Sequence, residues 1–331
     1  MSDYSVRKSL LEQIEQERSS RALLYVTGDR PGMETQISDV IDMVVDHLDT
    51  MWPANRISLI LHTKGGNTAI AWQLVNLLRT FCDELEVVVP SRALSAGTLI
   101  SLGANRIVMT KQAVLGPIDP SLNSPLGPQI PGSPHRAAVS VEAIQGYLNV
   151  AQSELGITDA NALASIWNNL SAQIHPLVLG QIYRTRQQIR DLAKRLLEHQ
   201  KVELQQAEKI VSFLCSESGS HDHAINRREA SELGLAVEKP SADFYEMLRK
   251  IEASYVEELM IRVPWNPDTQ LAGNPSIDYD VPRALIESTT HGSHQFASKG
   301  TLTQLSIPNP NGPPQIGLKD ERKFEAWQKV A

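Results

Sequence analysis

The chain is 331 residues long, sets 31 Lys+Arg against 38 Asp+Glu for a formal charge of −7, and is 41% hydrophobic. That length suits one large globular domain or two smaller ones. The acidic balance argues against a nucleic-acid binder, which needs excess cations to meet phosphates, and the ordinary apolar fraction argues against disorder over most of the chain.

The first segment, MSDYSVRKSLLEQIEQERSSR, has no apolar core. Residues 1–20 are therefore expected as a helical extension rather than a signal peptide. The longest apolar runs, at 57–61 and 87–89, are too short to span a bilayer. The two cysteines, Cys82 and Cys215, make neither a disulfide framework nor a metal-spaced pair, which fits a reducing compartment. A soluble cytoplasmic protein without a membrane span, metal or cofactor is the resulting expectation.

Residues 22–27 (ALLYVT) read as a buried strand punctuated by Gly28, Pro31 and Gly32. Residues 35–49 place Ile37, Ile41, Val44 and Leu48 at helical spacing. A second strand, 57–62, runs into Gly65-Gly66, and 68–82 put Ile70, Leu74, Leu77 and Phe81 on one helical face. Residues 85–89 read as a third strand, 94–103 as a short apolar helix and 106–109 as a fourth strand. Strands and helices alternating with short connections predict an α/β layer fold with a largely parallel sheet, its crossover helices laid over the sheet.

Residues 119–136 (DPSLNSPLGPQIPGSPHR) hold five prolines and two glycines and read as a long irregular loop. From 139 to 214 the pattern is helical. Its last part, 181–214, has no Pro or Gly and carries Ile189, Leu192, Leu196, Val202, Ile210 and Leu214, the pattern of one long amphipathic helix. Residues 227–238 read as a short helix ended by Gly234 and followed by a strand. Residues 264–317 contain eight of the nineteen prolines and are expected as an extended tail lying on the domain or on a neighbour. The expected organisation is an N-terminal extension (1–20), an α/β domain (21–260) and a proline-rich C-terminal extension (261–331), with no internal repeat.

Two strand-to-helix junctions carry candidate chemistry. In His62-Thr63-Lys64-Gly65-Gly66-Asn67 the paired glycines allow a tight turn that aims N–H groups outward, where they could hold an anion or a developing oxyanion; a plain turn needing positive φ is the alternative. It is neither a GxxxxGK[ST] phosphate loop nor a GxGxxG fingerprint. In Ala93-Leu94-Ser95-Ala96-Gly97-Thr98 a serine presents its hydroxyl at a helix start with the next residue's N–H beside it, although a helix-capping serine has the same pattern. Both junctions fall at the carboxyl ends of adjacent predicted strands, where ligand sites of α/β sheets gather.

This order of motifs resembles the Clp-protease/crotonase superfamily, and within it the signal-peptide-peptidase-A-like branch and its serine dehydrogenase proteinase (SDH) group. The resemblance rests on LHTKGGNTAIAWQLVNLLR (61–79), VPSRALSAGTLISLGANRIVM (89–109), VLGPIDPSL (114–122) and SHDHAINRREASELGLAVE (220–238), and covers roughly residues 20–240. It implies a ClpP/crotonase-like spiral of β-β-α units with a long helical segment and an irregular C-terminal tail. It also implies Ser95 as nucleophile, the Gly65–Gly66 loop and the Ala96 amide as oxyanion hole, and peptide-bond hydrolysis through an acyl-enzyme, independent of ATP. The partners implied are a peptide or protein substrate and copies of the chain in rings of three, four or six.

The proton acceptor is left open. No His lies between Ser95 and His135, and no Lys between Lys111 and Lys194, so a base shortly after the serine is missing. Lys194, Lys64, His223 (with His221) and Asp119 are the candidates, with His223 or Lys194 favoured as base and Asp119 as orienter. Lys64 could instead attract an acidic substrate. His62 is expected as a satisfied core histidine, His291 and His294 as surface residues, and Trp52, Trp167, Trp265 and Trp327 as packing or anchoring residues. A crotonase-type acyl-CoA hydratase or thioesterase and a non-catalytic scaffold of the same fold are the competing readings.

Overall fold

The computed structural model describes residues 4–118, 121–122, 124–217, 223–308, 312 and 314–331. In chain order, α1 (Tyr4–Arg18) leads into β1 (Arg21–Thr27), then α2 (Ile41–Met51), β2 (Ala54–His62), α3 (Thr68–Phe81), β3 (Cys82–Val89), the short β4 (Arg92–Ala93), α4 (Ala96–Leu102), β5 (Arg106–Met109) and β6 (Val114–Leu115). The two-residue strands β7 (Ser121–Leu122) and β8 (Val139–Ser140) follow. Then come α5 (Val141–Asn149), α6 (Ala160–Gln173), α7 (Pro176–Leu197), α8 (Leu204–Ser212), β9 (Ile225–Asn226), α9 (Arg227–Glu232), β10 (Val237–Glu238), α10 (Ala242–Glu258) and α11 (Pro267–Leu271). Three long strands, β11 (Ser276–Ser288), β12 (Gly292–Ile307) and β13 (Gln315–Lys329), close the chain.

The fold is mixed α/β. One eight-stranded sheet has the order β10-β5-β3-β2-β1-β11-β12-β13. Its first five strands are parallel and the last three antiparallel. Side chains alternate across each strand, and both faces are covered. Leu23 and Tyr25 of β1, Leu59 and Leu61 of β2, and Val87 and Val89 of β3 face α2, α3, α4, α7 and α8. Leu24 and Val26, Ile60 and Val88 face α1 and α10. Burial on both faces is why these strands read as unbroken apolar runs rather than alternating ones.

Two stretches differ from the sequence reading. The expected long helix over 181–214 is broken after Leu197: residues 198–200 form a single 3₁₀ turn and Lys201 is left-handed (φ 55°) before α8 begins. The expected irregular tail is instead mostly sheet, because β11 pairs with β1 over Leu23↔Ser288 to Thr27↔Ala284 and so extends the central sheet. The N-terminal residues are likewise built into the core, with Leu11 and Ile14 fully buried against the α10 side of the sheet.

His291 and His294, expected on the surface, cluster with the buried His47 of α2. His47 Nε2 lies 3.0 Å from His294 Nδ1, His47 Nδ1 lies 2.7 Å from Ser288 Oγ, and the His291 and His294 rings stack with centroids 5.4 Å apart. Burial, helped by the neighbouring histidines and Lys329, pushes the His47 imidazole down to about 3. Below an unfolded-chain value of about 6.5 the unfolded state takes up a proton that folded His47 refuses. Stability is thus expected to fall by up to about 1.4 kcal/mol per pH unit between roughly pH 6.5 and pH 3 from this group. Urea titrations at stepped pH check it: His47→Gln should flatten the acid limb, and an unchanged slope would remove His47 as its source.

Candidate active site

The site is assembled where β2 and β4 end. Thr63 N–H donates to the Arg92 carbonyl at 3.1 Å and Leu94 N–H to the Thr63 carbonyl at 3.0 Å, which stitches the diglycine loop to the serine loop. Gly65 turns with φ +114°, and a Cβ there would lie 2.8 Å from Ser95 Cβ. The Gly65 N–H is already given to Thr63 Oγ1 (3.0 Å). Its carbonyl accepts from Ile37 N–H (2.8 Å), and Asn67 N–H returns to the Ile37 carbonyl (2.9 Å). Gly66, held between those two bonds, has an N–H with no acceptor among the described residues. Asn67 then caps α3 by accepting from Ala69 N–H and Ile70 N–H.

Ser95 stands at the N-cap position of α4, but its side chain makes no capping hydrogen bond. Its backbone has φ 51° and ψ −110°, a conformation that a non-glycine residue adopts only at a cost of about 1–3 kcal/mol when its surroundings impose it. Those surroundings include the Gly97 N–H to Leu94 carbonyl bond (2.8 Å) and Thr98 Oγ1, which accepts from Gly116 N–H at 3.0 Å. The Ala96 N–H, first in the helix, also has no acceptor among the described residues. A serine released from capping duty therefore sits at the end of a strand with an uncommitted amide beside it.

A small sheet brings in the third segment. β4 pairs parallel with β6 (Arg92↔Val114, Ala93↔Leu115), and β6 pairs antiparallel with β9 (Val114↔Asn226, Leu115↔Ile225). Leu94 and Ser95 follow β4, Gly116 and Pro117 follow β6, and His223 and Ala224 precede β9. All six line one cavity of about 310 Å³, together with Lys64, Arg92 and Val114. Ser95 and His223 share this cavity with no hydrogen bond between them.

His223 Nε2 lies 2.7 Å from Glu229 Oε1, and the Phe213 ring meets the imidazole edge-on at 5.8 Å. Glu229 is fixed in the first turn of α9, where its N–H donates to the Asn226 side chain at 3.2 Å. The imidazole is thus oriented by a carboxylate, and its Nδ1 has no partner among the described residues. Lys194 is not brought to this cavity: its ammonium pairs with Glu208 of α8, and it is absent from the cavity lining. Asp119 and His221 lie outside the described residues. Glu229 was missed in the sequence because an acidic residue three positions after an Asn cap reads as helix capping.

Behind the cavity, His62 is the satisfied core histidine expected, 2.8 Å from Ser91 Oγ, 3.2 Å from Tyr255 Oη and 3.3 Å from Asp29 Oδ1. Burial would raise the Asp29 carboxyl. The His62 hydrogen bond and the charges of His62, Arg92 and Lys64 outweigh it and hold the carboxyl below its usual range. Arg92 Nη1 donates to Asp29 Oδ2 at 2.9 Å. Among the described residues no group of three His, Cys, Asp or Glu side chains could hold a metal ion, and no helix is long and apolar enough to cross a membrane.

Residues 38–136, which contain both the diglycine loop and Ser95, match the family model of the ClpP-like SDH-type serine proteinase. Among curated proteins the chain is similar to the uncharacterized protein MJ0137 of Methanocaldococcus jannaschii, with 31% identity over 183 residues, 55% of this chain and 53% of that protein. It is also similar to MJ1495 of the same organism, with 41% identity over 66 residues, 20% of this chain and 23% of that protein. The matches therefore span about half of the first relative's length and a quarter of the second's. Similar solved structures include the 1510-N membrane-bound stomatin-specific protease (18% identity, 70% of this chain and 84% of that one, TM-score 0.41). ClpP1 from Listeria monocytogenes is another (13% identity, 71% and 99%, TM-score 0.34).

Proposed function

We propose that the protein is a serine peptidase that cleaves peptide bonds through an acyl-enzyme on Ser95. One observation carries this reading above the rest: an uncapped serine with φ 51° shares a cavity with an imidazole already held by a carboxylate. Ser95 Oγ attacks the substrate carbonyl carbon while His223, through Nδ1, takes the hydroxyl proton. Glu229 fixes the ring and stabilises the imidazolium that forms. The negative charge on the former carbonyl oxygen is met by the Gly66 and Ala96 N–H groups, the two amides without partners. Collapse breaks the C–N bond, and the departing amine takes the proton from His223. Water, deprotonated by the same imidazole, then attacks the ester carbonyl and releases the acid and Ser95.

The reading includes a cytoplasmic, ATP-independent peptidase working as a ring of three, four or six copies, which light scattering on the eluted protein checks directly. The two buried cysteines, neither of them in a disulfide among the described residues, accord with a reducing compartment.

Covalent labelling by a fluorophosphonate tests the chemistry. The expected result is a single adduct on Ser95, absent in Ser95→Ala, and hydrolysis of a casein peptide library lowered about 10³-fold in His223→Ala, as removal of a triad base does. Loss of labelling in Lys194→Met with full labelling in His223→Ala would transfer the base to Lys194. An unlabelled Ser95 in well-folded protein would sink the hydrolase reading.

A further inference from the structure

Resting on that hydrolytic reading, the structure assigns a substrate class to the site: we infer that the cavity binds a peptide carrying a carboxylate within one residue of the scissile bond. The observation is the charge of its walls. Lys64 and Arg92 both line the cavity that holds Ser95 and His223, and the described lining residues include no Asp or Glu. Lys64 has no ion-pair partner among the described residues. It lines the same cavity as Ser95, so a group on its ammonium is held in the cavity where the carbonyl is attacked.

Arg92 is held differently. Only Nη1 is committed, to the buried Asp29, and Asp29 is in turn fixed by His62. The rest of the guanidinium makes no hydrogen bond among the described residues, and the side chain is 41% exposed. A planar guanidinium tethered at one nitrogen by a buried anion is pre-organised to offer its remaining N–H groups to a second carboxylate. Asp29 pairs with Arg92 and Glu229 with His223, which leaves the Lys64 ammonium as the cavity cation without an ion pair among the described residues. An arginine serving only Asp29 would not require a second, unpaired cation on the same cavity.

The matching chemistry is a carboxylate, supplied either by an Asp or Glu side chain or by the free C-terminus of a peptide. Charged groups in a half-open cavity of this kind act on selectivity and capture more than on fold, and their effect is screened by salt.

The test uses fluorogenic peptides that differ only beside the scissile bond: Glu or Gln, and for the Gln peptide a free or amidated C-terminus one residue away. Unlabelled parent protein, from a preparation whose Ser95 takes the fluorophosphonate label in a separate aliquot, is expected to cleave the Glu peptide at least about 10-fold faster than the Gln amide in kcat/KM, with the advantage shrinking at 0.5 M salt. A preference for the free-terminus peptide alone assigns the carboxylate to the chain end, and a preference for Glu alone assigns it to a side chain. The Glu/Gln ratio should collapse to within about 2-fold in Lys64→Ala and invert toward a Lys peptide in Lys64→Glu. Calorimetric binding of the same peptides to Ser95→Ala protein reads the preference without chemistry. If carboxylate peptides bind preferentially but Ser95 takes no label, the hydrolase reading fails and the carboxylate site stands. Labelling of Ser95 with equal rates and equal binding for all peptides, or no binding of any of them, overturns the inference.

Discussion

Gly65→Ala is expected to lower peptidase activity by about 10²–10³-fold, the size of effect seen when an oxyanion donor is lost, while the domain remains folded. A Cβ at this position would sit 2.8 Å from Ser95 Cβ, 3.0 Å from the Leu94 carbonyl and 3.3 Å from the Ala96 nitrogen. Two of those atoms are backbone, so no side-chain rotation relieves the contact. The φ of +114° adds strain that glycine alone avoids. Room can come only from moving the serine loop away from the diglycine loop, which opens the spot on which the hydroxyl and the Ala96 amide converge. Gly132→Ala is the control, since it also has positive φ (+74°) but open space around its missing Cβ. It should lose stability with activity kept. The comparison is kcat/KM together with thermal unfolding for both variants. Activity within threefold of the parent in Gly65→Ala would mean that the reacting carbonyl does not lie between these loops.

The parts of this site that could be read in the sequence are those built by neighbours in the chain. Gly65-Gly66 and Ser95 each follow an apolar strand directly and precede a helix, so local pattern alone places them at the same sheet end. His223 could be no more than one candidate among four, because what carries it to the cavity is the β6–β9 register between segments far apart in sequence. Glu229 was hidden by its second, ordinary role at a helix start. The cationic walls were half visible: Lys64 and Arg92 each stand in a loop motif, but their sharing one cavity depends on the Thr63–Ala93 bridge that joins the two loops.

The same division holds for the fold. β1, β2, β3 and β5 are buried on both faces and announce themselves as apolar runs. The start of β3 (Cys82-Asp83-Glu84) was missed because it is polar, Asp83 being exposed and Glu84 accepting from Arg56 at 2.6 Å. β11 was obscured by Pro282, which sits at the bulge where its register with β12 shifts, one of the few places a sheet tolerates proline. β13 is exposed along most of its length and so lacks the apolar alternation that marks a strand. The break between α7 and α8 has no signal at all, since Lys201 adopts the left-handed conformation without glycine or asparagine to announce it.

Removing the Arg7 guanidinium is expected to cost about 3–5 kcal/mol, because it leaves buried carboxylates without their cation. Arg7 is fully buried. Its Nε and Nη2 each lie 2.7 Å from a different oxygen of Glu287, Nη2 also lies 2.7 Å from Glu258, and Nη1 donates to Ser254 Oγ at 2.9 Å. Glu287 is fully buried too and accepts from Ser293 Oγ at 2.7 Å. Arg7 therefore ties α1 to α10 and β11, and Glu287 carries the link on to β12. Burial alone would depress the guanidinium, but its hydrogen bonds and charge contacts with Glu287 and Glu258 keep it firmly protonated. Arg7→Met preserves most of the volume and isolates the charge. Glu287→Leu removes the partner, and the double variant should be more stable than the sum of the two losses by at least about 1–2 kcal/mol, since an apolar pair is tolerated where a lone charge is not. Urea unfolding of the four proteins closes the cycle. Additive losses would mean that water reaches Glu287 once Arg7 is gone, and that the tie between the first helix and the C-terminal strands depends on packing by Leu10, Leu11 and Ile14 rather than on charge.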